Sequence, residues 1–174
     1  MLNAAIVGMG RWGQTLVASV QGKSNKICFV RGVTRTPSKV EAFAITMGLP
    51  VSDFDTMLAD PGVDAVVLAT PHSQHVAQIK AAAKAGKQVF VDKPIALTAA
   101  GVERAFDACE AAGVQLAVGQ NRRFLPSVRR MREMIAQGTL GDILHIGGIS
   151  PDPAAIAISR ATGVRARRKA RPAT

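Results

Sequence analysis

Leu2-Asn3-Ala4-Ala5-Ile6-Val7-Gly8-Met9-Gly10-Arg11-Trp12-Gly13 is the stretch that decides the fold. A short, mostly apolar run ends in three glycines spaced GxGxxG, and a segment of helical character follows to about Gln21. The spacing alone recurs in ordinary turns. A strand before it and a helix after it make it informative. In that context Gly8 permits a tight turn, Gly10 lets a pyrophosphate approach the backbone, and Gly13 lets the helix pack close to the strand. The helix N-terminus then faces the phosphates with unpaired N–H groups and the positive end of its dipole. Residues 8–13, including Met9, Arg11 and Trp12, are therefore expected to contact a dinucleotide.

The same alternation continues along the chain. Strands are expected at Lys26–Val33, near Val51, at Asp64–Ala69, at Gln88–Val91, at Val114–Val118 and finally at Ile143–Ile149. Between them, Thr36-Pro37 reads as the start of a helix closed by Gly48, with the Thr36 hydroxyl as N-cap. Asp53 or Asp55 can cap another short helix. Gln74–Ala85 ends at Gly86, a helix capped by Thr98 reaches Ala112 before Gly113, and Pro126–Gln137 is amphipathic. Asp64–Ala69 is almost continuously apolar, as in a parallel sheet covered on both faces. The expected class is α/β, a Rossmann-type doubly wound parallel sheet over residues 1–149.

The end of the second strand bears on which dinucleotide is bound. NAD binders place an acidic residue about 20 residues past the glycines, where it holds the adenosine ribose diol. This chain has Thr34-Arg35-Thr36 there. A hydroxyl at Thr34 removes the carboxylate that would repel a 2′-phosphate, and Arg35 with Lys39 brings positive charge to it. The expected cofactor is NADP, with NAD as the alternative if Arg35 only stacks on adenine.

Three further stations lie at strand ends, where ligands bind in open α/β sheets. Ala69-Thr70-Pro71-His72-Ser73-Gln74-His75 ends the fourth strand. A histidine there can donate to a ribose or an amide, or simply cap the following helix. Asp92-Lys93-Pro94 ends the fifth strand, and a lysine facing a crevice can orient a substrate hydroxyl or assist its proton transfer. Gly119-Gln120-Asn121-Arg122-Arg123-Phe124 closes the sixth, with Gln120 and Asn121 aimed the same way. No cluster has metal-ligand spacing.

The composition fits this picture. Of the 174 residues 48% are hydrophobic and only 4% aromatic, so an Ala/Val/Ile/Leu core is expected. Cys28 and Cys109 are far apart and read as free thiols in a reducing compartment. No basic segment precedes an apolar leader, and no apolar run has the length of a membrane span. A cytoplasmic, soluble protein is expected. The net charge of +10 hints at nucleic acid, but half of it falls in residues 151–174, where six basic side chains face Asp152 alone. That stretch has three prolines and no sustained period. A basic, disordered tail over residues 150–174, dispensable for cofactor binding, is expected.

The motifs VGMGRWG, VDAVVLATPHSQHVAQIKAAAKAGKQVFVDKPIALT, GQNRRFLP and QGTLGDILHI stand in the order of the glucose–fructose oxidoreductase/inositol dehydrogenase (Gfo/Idh/MocA) family. Over about residues 2–148 the chain resembles the N-terminal domain of these NAD(P)-dependent oxidoreductases. The family usually has Glu-Lys-Pro where this chain has Asp92-Lys93-Pro94. The resemblance implies that Lys93 sits between nicotinamide and substrate as the catalytic lysine, and that Pro94 follows a cis peptide. It also implies that Asp92, Thr70, Pro71, His72 and His75 line the cofactor crevice. Family members continue into a second, α+β domain that carries a catalytic aspartate/histidine pair, most of the substrate pocket and usually the oligomer interface. That domain is absent here, so a truncated chain is expected. The run Ala155-Ile156-Ala157-Ile158, read one base earlier, could encode Gly-Tyr-Arg-Tyr, so a shifted reading frame is the expected cause.

The functional expectation is the NADP-binding domain of an oxidoreductase acting on a sugar, polyol or related hydroxyl/carbonyl substrate, inactive alone and prone to self-association. The alternative is a non-catalytic module that binds or senses NADP(H). A nucleic-acid partner is disfavoured because, beyond charge, no recognition motif is present.

Overall fold

In Leu2–Val7 (β1), the side chains from Ala4 onward alternate between two buried environments, because the middle of a central strand has no solvent face. Ala5 and Val7 enter one apolar cluster, whereas Ala4 and Ile6 enter another on the opposite face. This is a computed structural model, and it describes residues 1–145. Residues Met1–Arg123 form one compact unit, and the described residues from Phe124 onward belong to a second.

In the first unit β1 leads through Arg11–Val20 (α1) to Ile27–Val33 (β2). Glu41–Met47 (α2), Val51–Ser52 (β3) and Phe54–Ala59 (α3) follow. The second half runs Ala65–Leu68 (β4), His75–Lys84 (α4), Gln88–Val91 (β5), Ala99–Ala111 (α5) and Leu116–Val118 (β6). The six strands lie in the order β3-β2-β1-β4-β5-β6, and every pair is parallel. The doubly wound expectation is met. The strand order reverses between β1 and β4, the position at which such sheets bind ligands beyond their carboxyl ends.

Local chemistry accounts for most boundaries. Asp53 caps α3 by accepting from the Thr56 N–H at 2.8 Å, and Thr98 caps α5 through the Gly101 N–H at 3.1 Å. Gly48 closes α2 in the left-handed conformation. Thr36 departs from expectation. Its hydroxyl caps nothing, because Pro37–Lys39 forms a 3₁₀ turn and α2 begins only at Glu41. The segment at Ile143–His145 forms no strand, and the remainder of the expected last strand and the tail lie outside the described residues. In the second unit, Pro126–Ala136 (α6) opens with Pro126 in its first turn, and the Arg129 guanidinium carbon lies 5.6 Å from the Phe124 ring centre.

The amino end of the sheet is held by polar contacts. Arg31 pairs with Asp60, and that guanidinium, followed by the Gly62 N–H, holds the Asp60 carboxyl below its usual range. Its contribution to stability is present above the ordinary aspartate range and is lost as the pH falls below it. Lys87 is nearly buried and donates to the Asp60 carbonyl at 2.7 Å and the Val63 carbonyl at 2.8 Å. Lys87→Met keeps the apolar stem but orphans both carbonyls. It should cost about 1.5–3 kcal/mol in urea unfolding. A loss below about 0.5 kcal/mol would mean that water replaces the ammonium there.

Candidate functional site

At the carboxyl ends of β1, β2 and β4 a cleft of about 670 Å³ opens. Its floor is the turn after β1. Gly8 has φ +94°, and a Cβ there would sit 2.6 Å from the Ala69 carbonyl oxygen. A Cβ on Gly13 would lie 1.9 Å from the Gly8 carbonyl oxygen, so α1 can meet the turn only without a side chain at that point. Gly10 differs. A Cβ there would meet nothing within 4 Å. Gly8 and Gly13 are required by the chain's own packing, whereas the bare backbone at Gly10 faces the cleft.

The structure brings together the expected residues on both sides of this turn. Thr34, Arg35 and Lys39 form the end beside β2, and Ala69, Thr70 and Pro71 form the wall after β4. Neither Arg35 nor Lys39 has a charge partner among the described residues. Met9 contributes backbone only. Its thioether is buried beneath Gly32, where an added Cβ would lie 2.6 Å from the Met9 sulfur.

The other candidates lie around the cleft rather than in its lining. Arg11 and Trp12 stand exposed at the first turn of α1. His72 is exposed in the 3₁₀ turn His72–Gln74, its ring 5.6 Å from that of His75. His75 is fully buried. Its Nδ1 lies 2.9 Å from the Pro94 carbonyl and its Nε2 2.9 Å from the Thr70 carbonyl. Both ring nitrogens are thus taken up by main chain, and the ring ties the loop after β4 to the loop after β5.

Asp92 and Lys93 follow β5, and the Lys93–Pro94 peptide is cis. Lys93 is exposed, with no partner for its amine among the described residues. Asp92 reaches toward the end of β6, where a Cβ on Gly119 would lie 3.5 Å from Asp92 Oδ1. Gln120 and Asn121 continue from β6, the Gln120 carbonyl accepting from the Arg123 N–H at 3.2 Å.

Sequence reasoning missed five polar contributors to the lining: Gln14, Thr36, Asp53, Gln74 and Gln78. Gln14 Nε2 donates to the Met9 carbonyl at 3.1 Å and so braces the glycine turn. The side chain and backbone N–H of Thr56 hold the exposed Asp53 carboxyl below its usual range. Gln74 and Gln78 stand four residues apart, a spacing that puts both on one face of a helix entrance and could have signalled them.

Residues 2–120 match the model of the oxidoreductase family with an NAD-binding Rossmann fold, GFO_IDH_MocA. The chain belongs to this family. Among Gfo/Idh/MocA relatives, inositol 2-dehydrogenase of Rhizobium meliloti (strain 1021) is 33% identical over 150 residues, covering 86% of this chain and 45% of the relative. The scyllo-inositol 2-dehydrogenase (NAD(+)) of Bacillus subtilis (strain 168) is 32% identical over 162 residues, or 88% of this chain and 46% of the relative. A crystal structure of scyllo-inositol dehydrogenase from Lactobacillus casei, with bound NAD(H) and scyllo-inositol, superimposes with a TM-score of 0.85 at 30% identity. That match covers 94% of this chain and 49% of the other. The chain therefore spans a little under half the length of these relatives. Among the described residues no helix is long and apolar enough to cross a membrane, and no group of three or more His, Cys, Asp or Glu could hold a metal ion.

Proposed function

We propose that this chain is the NADP-binding half of an oxidoreductase acting on a sugar, polyol or related hydroxyl/carbonyl substrate. The observation that carries this reading is the cleft itself. It joins the bare backbone of Gly10 at the α1 N-terminus to Arg35 and Lys39, cations without a charge partner among the described residues, with Thr34 where an NAD site has its carboxylate. The pyrophosphate is assigned to the Gly8–Gly10 turn, the 2′-phosphate to Thr34, Arg35 and Lys39, and the second nucleoside to the β4 side. The cofactor, when bound, gives or accepts hydride at its nicotinamide ring. Lys93, exposed beside the loop that His75 braces, binds the substrate oxygen and assists movement of its proton. Asp92, Pro94, His72, Gln120 and Asn121 shape the rim on that side.

Binding and turnover separate in this reading. The cleft holds the cofactor, but its lining contains no histidine, and Lys93 alone does not position a substrate. Purified chain should bind NADPH yet give no steady oxidation of a panel of sugars and inositols. Lys93→Ala should leave NADPH affinity within about threefold. Sustained turnover by monodisperse protein would refute the claim of inactivity, and failure to bind either dinucleotide would refute the assignment as a whole.

A further inference from the structure

His75 is fully buried at the start of α4, and each of its ring nitrogens lies 2.9 Å from a main-chain carbonyl. The Thr70 carbonyl belongs to the loop after β4, and the Pro94 carbonyl to the loop after β5. Neither oxygen has another donor among the described residues. A carbonyl only accepts, so both nitrogens must donate, and a neutral imidazole has a single N–H. Its bare nitrogen would set a lone pair against an oxygen lone pair at hydrogen-bond distance. The doubly tied ring is therefore the imidazolium.

We infer that His75 is a positioning residue whose hold on the two loops depends on its second proton. Protonated, it joins the loop carrying Thr70 to the loop carrying Asp92, Lys93 and Pro94. On losing one proton it must release one of them. The double tie is thus present at lower pH and lost as the pH rises. Pro94 directly follows Lys93, so the tie sets where the Lys93 backbone stands against the wall of the cleft. That consequence rests on the function proposed above, whereas the tie itself does not.

Opposing effects make the double tie conditional. Two charge-assisted hydrogen bonds favour the cation. Burial without a carboxylate partner and the positive end of α4 oppose it. The His72 ring, 5.6 Å away, adds to that opposition when it is itself charged. Asp92 and Lys93, on the loop that His75 holds, form no ion pair with the ring among the described residues. Lys80 and Lys84 on α4 are exposed. On α5, which packs beside α4, Glu103, Arg104, Asp107 and Glu110 are exposed and Cys109 lies in the core.

The test uses the full chain without cofactor. His72→Gln and His145→Gln, both at exposed positions, leave His75 as the only histidine. Nitrogen-15 chemical shifts of the imidazole then report which ring nitrogens carry protons. As the pH is lowered from about 8 to about 5, the range in which histidine changes charge, His75 should pass from one protonated nitrogen to two. Amide exchange in residues 70–74 or 92–96, corrected for its intrinsic pH dependence, should slow over the same interval in whichever loop had been released. About tenfold is expected, equivalent to about 1.4 kcal/mol for one regained hydrogen bond.

Two further variants carry one tie each and do not titrate. His75→Asn puts a donor near Nδ1 and keeps the Pro94 tie, and His75→Gln puts one near Nε2 and keeps the Thr70 tie. Each should hold one loop, free the other and abolish the pH dependence. A ring with one protonated nitrogen throughout, both loops staying protected, would overturn the inference. So would two protonated nitrogens at every pH, which would make the tie permanent, or a pH dependence that persists in both variants. The imidazole spectrum needs neither variant to fold. None of these readings uses a dinucleotide, so a failure to bind one would count against the proposed function alone.

Discussion

Substituting alanine at Gly10 should weaken dinucleotide binding by tenfold or more while leaving the fold intact, whereas at Gly13 it should destabilise the fold itself. The two sites lie three residues apart in one motif, yet their surroundings differ completely. The Cβ of Gly10→Ala meets nothing within 4 Å, and the backbone there is extended, at φ −69° and ψ −175°, which any residue adopts. Its only cost falls on a ligand approaching that backbone. A methyl standing between a phosphate and the α1 N–H groups should lose at least about 1.4 kcal/mol of binding. The Cβ of Gly13→Ala would lie 1.9 Å from a main-chain oxygen that cannot rotate away, so α1 must move off the sheet. Overpacking of that kind costs about 1–3 kcal/mol or more, visible as a lowered melting temperature. Melting curves and NADPH titrations of both variants check the split. Unchanged NADPH affinity in a folded Gly10→Ala protein would mean that no phosphate sits against this turn.

The second large effect concerns the 2′-phosphate. Arg35→Ala should weaken NADPH about ten- to a hundredfold and leave NADH within a few-fold. The two cofactors differ by a single phosphate, and a charge-assisted hydrogen bond to it is worth about 1.5–3 kcal/mol in a partly exposed site. No carboxylate competes for Arg35 among the described residues, so the full charge is available to a ligand. Thr34→Asp should invert the preference by accepting from a ribose diol and repelling a 2′-phosphate. Equal losses of both cofactors in Arg35→Ala would assign the guanidinium to adenine stacking instead.

Much of the fold was legible because it is written in local signals. The glycine turn, the apolar run at Asp64–Ala69, the caps at Asp53 and Thr98 and the glycines ending the helices each act within a few residues. Thr36 failed as a cap for a related reason. Thr-Pro is as good a start for a 3₁₀ turn as for an α-helix, and only the packing of Val40 and Ala44 into the core decides between them. The site was legible where it depends on main chain, as at Gly8–Gly13, and at the strand end carrying Thr34 and Arg35. It was not legible where partners come from distant parts of the chain. That Met9 turns under Gly32, or that the two nitrogens of His75 are taken by Thr70 and Pro94, follows from the meeting of β2 with the glycine turn and of the β4 and β5 loops. The hydrogen bonds from Thr70 to Gln78 and from Gln78 to Gln74 likewise depend on how α4 enters the cleft.

In the proposed function this cleft holds a dinucleotide and selects the 2′-phosphorylated form. Calorimetric titration of the wild-type chain with NADPH and with NADH, in the same low-salt buffer, tests it most directly. One site per chain is expected, with NADPH bound at least about tenfold more tightly than NADH. Tighter binding of NADH would contradict the selectivity, and absence of binding by both would contradict the site.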